Sequence, residues 1–333
     1  MTRAFAPALS HIWFMSYSSR IFIYGPVGLL LLIVVLYSVF WRVQADTLSA
    51  RLDRANGGEI IPGITFAFAG KTVGGYPFQL DAVLSGVRFS HQVAEGETAW
   101  RTEKLALHAL SYNLDRYIFE VTGLQSFERP PMKQGGVPRV IYATPAIARA
   151  SAILNNGRLA RFDMDLWEPQ AKDATQGADP KRSLSADRAQ LHLLARPDNT
   201  IDVAAQINNA RIGAGYAATP SAELMLPLID LRAKLTESSA LDGLAAGRMS
   251  VADAAQAWRE RMGALKISDL TLNWSDARAG LKGEVAIDQT GRASGRLEGD
   301  RVQNGKMPVK FGLTLDDSGI RTAAALSASS RRP

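Results

Sequence analysis

Between Ile21 and Trp41 the chain reads IFIYGPVGLLLLIVVLYSVFW, a run without a single charged residue. At 1.5 Å per residue a helix of that length measures ~31 Å, close to the ~30 Å hydrocarbon core of a bilayer. Tyr24 stands at one end and Tyr37 and Trp41 at the other, where amphipathic rings favour the membrane–water interface. Pro26 is expected in the first turns, where a missing N–H costs least. A buried core helix of this length is rarely apolar on every face, so the run predicts one transmembrane helix over 21–41.

The flanks set the expected orientation. Arg3 and Arg20 precede the span with no acid beside them, whereas Arg42, Asp46, Arg51, Asp53, Arg54 and Glu59 are mixed after it. The positive-inside bias places segment 1–20 in the cytoplasm and the rest across a bacterial inner membrane, in the periplasm. A cleaved signal peptide is the competing reading, because Val43-Gln44-Ala45 supplies small residues at a plausible cleavage point. The apolar run exceeds an ordinary signal-peptide core, and Trp41 and Arg42 crowd the junction, so an uncleaved anchor is expected. Leu48, Leu52 and Ala55 at helical spacing extend the helix through 42–58 until Gly57-Gly58 stops it.

From residue 59 the apolar period changes from 3.6 to 2. Ile64, Phe66 and Phe68 alternate with small or polar neighbours, and Phe78, Leu80, Ala82 and Leu84 do the same after Gly74-Gly75. Gly86 marks a bend before Val87 and Phe89. Similar stretches recur at 105–107, 117–121, 162–166, 189–195, 200–207, 223–235, 265–274, 280–288 and 308–315, separated by Gly, Asn, Asp and Pro. The pattern predicts a mainly β domain over 59–324, an antiparallel, curved sheet with one or two covering helices, each strand wet on one face and apolar on the other. Segments 64–68 and 78–84 are expected to pair as a hairpin with a continuous apolar face. Ser250-Val-Ala-Asp253 resembles a capping box and opens a helix with Val251, Ala254, Ala255, Trp258 and Met262 on one stripe. That helix is expected to cover an edge or face of the sheet. Segments 128–138, 168–183 and 236–248 read as polar connections, and 325–333 as a disordered tail.

The chemistry readable from the sequence is mostly exclusion. With no cysteine in 333 residues, disulfides, thiolate catalysis and zinc–cysteine sites are impossible. His11, His91, His108 and His192 are far apart and lack metal-ligand spacing, so no metal and no cofactor is expected. Gly70-Lys71-Thr72 imitates the end of a phosphate-binding loop, but Thr65 stands where its first glycine belongs. Four of the 38 basic residues, Arg3, Arg20, Arg331 and Arg332, lie near the ends, and the remainder all but balance the 32 acidic ones. Without a basic cluster, nucleic acid is not an expected partner.

Gly75-Tyr76-Pro77-Phe78-Gln79-Leu80 resembles the element that opens the exported domain of a bacterial membrane-anchored family, DUF 2125. Trp258, Gly263, Ile267, Leu270, Leu272 and Trp274 are similar to its C-terminal part, as are Gly283 to Asp288, Gly291-Arg292 and Gly295 to Leu297. The resemblance carries no activity and no catalytic residues. The layout also resembles AsmA-like envelope proteins, which implies an apolar groove used in lipid traffic. From the residues alone, Gly74-Gly75 permits a tight turn, Pro77 suits the start of a strand, and Tyr76 and Phe78 share one side.

The expected protein is therefore non-enzymatic and anchored in the inner membrane, with lipid or another envelope protein as partner. Phe66, Phe68, Phe78, Leu80 and Trp258 are the candidate ligand contacts. A scaffold whose apolar face is filled by the helix at 250–262 is the alternative, and a hydrolase with two spatially paired carboxylates a third.

Overall fold

A computed structural model describes residues 16–323 apart from 94, 132–134, 217–222, 275, 290, 304–306 and 317–318. The expected tail at 325–333 and most of segment 1–20, with His11, lie outside the described residues.

Helix α1 (Ser16–Ala55) is continuous through the apolar run and beyond it. It begins before that run, so Pro26 lies in its interior rather than in its first turns. Residues 24–36 of α1 are exposed or nearly so, whereas Trp41 and Ala45 are buried. Gly57, at φ 80°, ends the helical path as expected.

The rest is one antiparallel sheet. It opens with β1 (Gly58–Ile61), β2 (Ile64–Ala67), β3 (Gly70–Gly74) and β4 (Gln79–Val93). It continues with β5 (Gly96–Leu110), β6 (Asn113–Arg129), β7 (Arg139–Ala143), β8 (Ile147–Asn155), β9 (Arg158–Trp167) and β10 (Gln170–Asp173). Next come β11 (Ser183–Ser185), β12 (Arg188–Arg196), β13 (Thr200–Ile212) and β14 (Leu224–Leu235). It closes with β15 (Ala264–Trp274), β16 (Ala277–Ile287), β17 (Ala293–Gln303), β18 (Val309–Asp316) and β19 (Gly319–Ala323). Each long strand pairs with its neighbour in the chain, from β4–β5 to β18–β19. The short strands β7, β10 and β11 extend the positions of β8, β9 and β12 as a flap that joins β6 to β13.

Two short helices interrupt the meander between β14 and β15: α2 (Asp242–Ala245) and α3 (Val251–Glu260). Ser250 caps α3 as the sequence predicts, accepting from the Asp253 amide at 3.1 Å while its own hydroxyl donates to the Asp253 carboxylate at 2.7 Å.

Two further expectations need correction. β2 does not pair with 78–84. It pairs with the far end of β4, Phe66 opposite Phe89, while β3 takes the near end, Val73 opposite Ala82. The expected connection at 70–77 therefore contains a strand, and β4, long enough for two partners, carries the apolar face from one to the other. Segment 168–183 is likewise not wholly a connection, because β10 lies within it and β11 begins at its last residue. Helix α3, expected over an edge or a face of the sheet, lies away from the two cavities of the apolar face. It packs on the strand ends: Trp258 Nε1 donates to Thr236 O at 2.6 Å, and Arg259 donates to the Asp288 and Gln289 carbonyls at 3.3 and 3.0 Å.

Gly75 has φ +98°, and a Cβ there would sit 2.8 Å from Gln79 O. Both features forbid a side chain, so Gly75→Val is expected to cost roughly 1–3 kcal/mol. Thermal unfolding of the purified chain measures this, and an unchanged midpoint would refute the turn assignment.

Candidate functional site

Alternation along each strand, combined with the observed register, places the apolar residues in unbroken rows across the sheet. One row runs Ala82, Leu107, Phe119, Ala150 and Met164 from β4 to β9. It continues through Leu191, Ala205, Leu231, Leu270, Leu281 and Gly299 to Phe311 of β18. The opposite face is wet. There Asp163 meets Arg161 at 2.7 Å and His192 at 2.7 Å, Asp165 meets Arg188 at 2.7 Å, and Glu120 meets Arg149 at 2.9 Å. The hydrogen bond from Arg188 holds the Asp165 carboxyl below the usual carboxylate range. For Asp163, partial burial pushes upward, but hydrogen bonds from Arg161 and His192 outweigh it and the carboxyl ends up lowered.

The apolar face is concave. A cavity of about 470 Å³ is bounded by Phe89, Trp100, Leu105, Phe119, Phe162 and Met164, among others, on strands β4 to β9. A second, of about 410 Å³, runs on from it to Ile207, Ala210 and Ile229 of β13 and β14. The two share Gln125, Phe127 and Leu166, so they form one trough. No residue of α1, α2 or α3 lines either cavity. Lining side chains such as Leu105, Phe162, Met164 and Ile207 are only half-buried. Over the cavities the buried apolar residues, such as Ala148 and Ala210, are small, whereas from β14 to β17 the apolar face is filled by a core of Ala233, Ile267, Leu281 and Leu297.

Bulges and glycines shape the trough. Registers slip between Ile267 and Leu270 and between Thr102 and Lys104, which bends the strands. On the inner face of β17, a Cβ at Gly295 or Gly299 would collide with the β16 backbone, so only glycine allows the close approach there. An aromatic ladder forms part of the wall: Phe66 to Phe89 at 4.9 Å, Phe89 to Trp100 at 5.2 Å, and Trp100 to Phe127 at 6.3 Å.

Its start is closed by α1. Trp41, Ala45 and Leu48 pack on Leu80 and Val73, and Leu52 and Ala55 pack around Phe66, Leu84 and Val87. Lys71 anchors the seam, donating to Ser49 O at 2.6 Å and meeting Asp53 at 2.6 Å. The α2–α3 unit caps the strand ends, with Asp242 paired to Arg158 of β9.

The five sequence-predicted contacts separate accordingly. Phe66 and Leu80 are buried under α1, and Phe68 joins Phe66 at 5.7 Å. Trp258 is buried in the end cap. Phe78 does not share the face of Leu80: it lies in the turn before β4 and is exposed. Tyr76 turns to the helix instead, its ring 5.3 Å from that of Trp41. The residues that line the open trough, Phe162, Met164, Leu166, Ala189 and Ile207 among them, are readable in the sequence only as strand positions, because register between strands is what gathers them.

Among the described residues no group of three or more His, Asp and Glu is placed to hold a metal ion. A polar hollow of about 580 Å³ beside the β10–β11 flap carries two carboxylates, Glu168 and Asp187. Both are exposed, and Asp187 is engaged by Asn209 at 2.6 Å and Arg211 at 3.8 Å.

A membrane-apt helix clamped to one end of a long, apolar-faced meander that is open at the two cavities and filled from β14 to β17 is the architecture these elements define. The family model described as "Uncharacterized protein conserved in bacteria (DUF2125)" matches residues 41–300, and the chain belongs to that family. No curated protein and no solved structure matches the chain, so the layout likeness to AsmA-like proteins has no support from these comparisons.

Proposed function

We propose that this chain is a non-enzymatic, inner-membrane-anchored protein whose trough holds a lipid acyl chain on the periplasmic side. The observation that carries the reading is the uncovered trough itself. Two joined cavities of about 470 and 410 Å³ have walls of Phe, Leu, Met, Ile and Ala with few polar groups. Ligand sites of this size commonly fall in the range of roughly 300–1,000 Å³. A bare apolar face of this extent is rare on a monomer unless something docks on it. A flexible hydrocarbon chain matches a trough that is long and lacks directional hydrogen-bonding groups.

The anchor reading draws support from the seam. Cleavage after Ala45 would remove Trp41, whose indole donates to Gln79 O at 2.7 Å, and would cut within the part of α1 that covers Leu80. The flanking charges favour a cytoplasmic N-terminus and so support this orientation.

The test is site-specific photo-crosslinking in cells. Benzoylphenylalanine at Phe162, on the trough floor, is expected to give a fatty-acyl adduct by mass spectrometry. The same probe at Ile118, exposed on the opposite face, is expected to give none. Equal adducts at both sites, or none at Phe162, would refute the reading.

A further inference from the structure

We infer that the two turns at the start of the sheet, 75–78 between β3 and β4 and 111–112 between β5 and β6, sit in the headgroup region of the bilayer and contact lipid directly. The inference rests on the reading of α1 as a membrane-spanning helix.

The first observation is their height along α1. Tyr37 Oη donates to Pro77 O at 2.7 Å and lies 2.8 Å from Ser111 Oγ. Ser38 Oγ, which donates to Val34 O, lies 2.7 Å from Tyr76 Oη. Tyr37 and Ser38 belong to the uncharged run that ends at Trp41. At 1.5 Å per residue they lie only ~6 Å or less short of its end, the depth of the membrane–water interface. Whatever is bonded to them shares that depth.

The second observation is what the turns expose. Tyr76, Phe78 and Tyr112 are 51%, 66% and 69% exposed, although each is a large ring. Aromatic rings with one apolar and one wet side are the residues favoured at this depth. Both turns are also free of charge: residues 72–80 lie between Lys71 and Asp81, and 109–114 between His108 and Asp115. Of the flanking groups, Asp81 and His108 are bonded to each other at 2.7 Å.

The third is the backbone. Carbonyls bonded within the protein leave fewer backbone groups to desolvate where a turn meets lipid. Here Gly75 O accepts from Gln79 N at 2.9 Å, and Pro77 O from Tyr37. Phe78 O accepts from Ser111 N at 3.2 Å and from its hydroxyl at 3.1 Å, and Gln79 O from Trp41 Nε1 at 2.7 Å. The Tyr-Pro-Phe element thus acts as a seat that fixes the sheet at the membrane surface.

Because the chain has no cysteine, single-cysteine labelling is clean. The full chain carrying Leu32→Cys, Phe78→Cys, Tyr112→Cys or Met262→Cys, each labelled with an environment-sensitive fluorophore, is reconstituted into phosphatidylethanolamine–phosphatidylglycerol vesicles with brominated acyl chains. All four positions are exposed. Strong quenching is expected at Leu32→Cys, intermediate quenching with a blue shift at Phe78→Cys and Tyr112→Cys, and none at Met262→Cys in the end cap. If Leu32→Cys is quenched while both turn positions behave like Met262→Cys, the inference fails and the spanning helix stands. If Leu32→Cys is not quenched, the spanning reading fails and the inference with it. Quenching at all four positions would mean that the whole sheet lies on the bilayer, which also overturns a seat confined to these turns.

Discussion

A Phe66→Asp chain is expected not to accumulate in a folded form. Phe66 is 6% exposed, and its packing neighbours are Leu84, Val87 and Phe89 of the sheet and Leu52 and Ala55 of α1. Removing the ring alone would cost ~3–5 kcal/mol, and a carboxylate left in that apolar seam adds a desolvation penalty of several more. Together these approach the whole stability of an ordinary domain, ~5–15 kcal/mol. Met164→Asp supplies the contrast. Met164 is half-buried on the open trough, so its charge can reach water, and the chain should fold with a modestly lowered melting temperature. Soluble yield and thermal melts of the two variants read the difference. A Phe66→Asp chain that melts near wild type would show that α1 does not close this end of the trough.

The second large effect is expected at Trp258. Its indole is 7% exposed, donates to Thr236 O at 2.6 Å, and leaves no room for a Cβ at Gly263. Trp258→Ala opens a cavity between α3 and the strand ends and should cost ~3–5 kcal/mol in urea unfolding. Trp258→Phe keeps most of the volume and loses mainly the hydrogen bond, ~0.5–1.5 kcal/mol. The ratio matters as much as the size. If the two variants were equally destabilised, the hydrogen bond rather than the packing would hold the cap. If Trp258→Ala cost less than ~1 kcal/mol, the cap would be an appendage rather than part of the folded unit.

How far the sequence revealed this fold depended on where each strand puts its large side chains. β12 to β16 alternate Leu, Ile or Val with polar residues, and their limits were readable to within a few residues. β8, IARASAILN, spends its inward positions on alanine, so its period is faint. β17, ASGRLEGDRVQ, spends them on glycine, because the curl of the sheet brings the β16 backbone into that space. The same glycines that build the curvature erase the hydrophobic signal of the strand that carries it. β3 was hidden by Lys71, whose inward direction makes sense only once α1 is seen to offer Asp53 and the Ser49 carbonyl. The candidate site was less legible than the fold. Aromatic residues drew attention to Phe66, Phe68, Phe78, Leu80 and Trp258, but large rings are just as useful for sealing a seam, and that is where Phe66, Leu80 and Trp258 went. The open surface is made of ordinary Leu, Met, Ala and Ile residues that nothing local singles out. Phe78 misled for a different reason: the strand begins one residue after it, so the period of 2 does not extend to its position.

Because successive long strands bond to the strands beside them in the chain, the number of strands works as a ruler. Each position adds ~4.8 Å, so the row from Ala82 to Phe311 covers some 50 Å of sheet surface. Inserting or deleting one hairpin would change that reach by ~10 Å while leaving every other register, and the alternation of faces, untouched. Contacts so local in sequence also let the sheet grow strand by strand behind α1, each new hairpin using the last as its template. Length and assembly are thus set by the same property, and the span between the two ends of the trough can be retuned without redesigning either end.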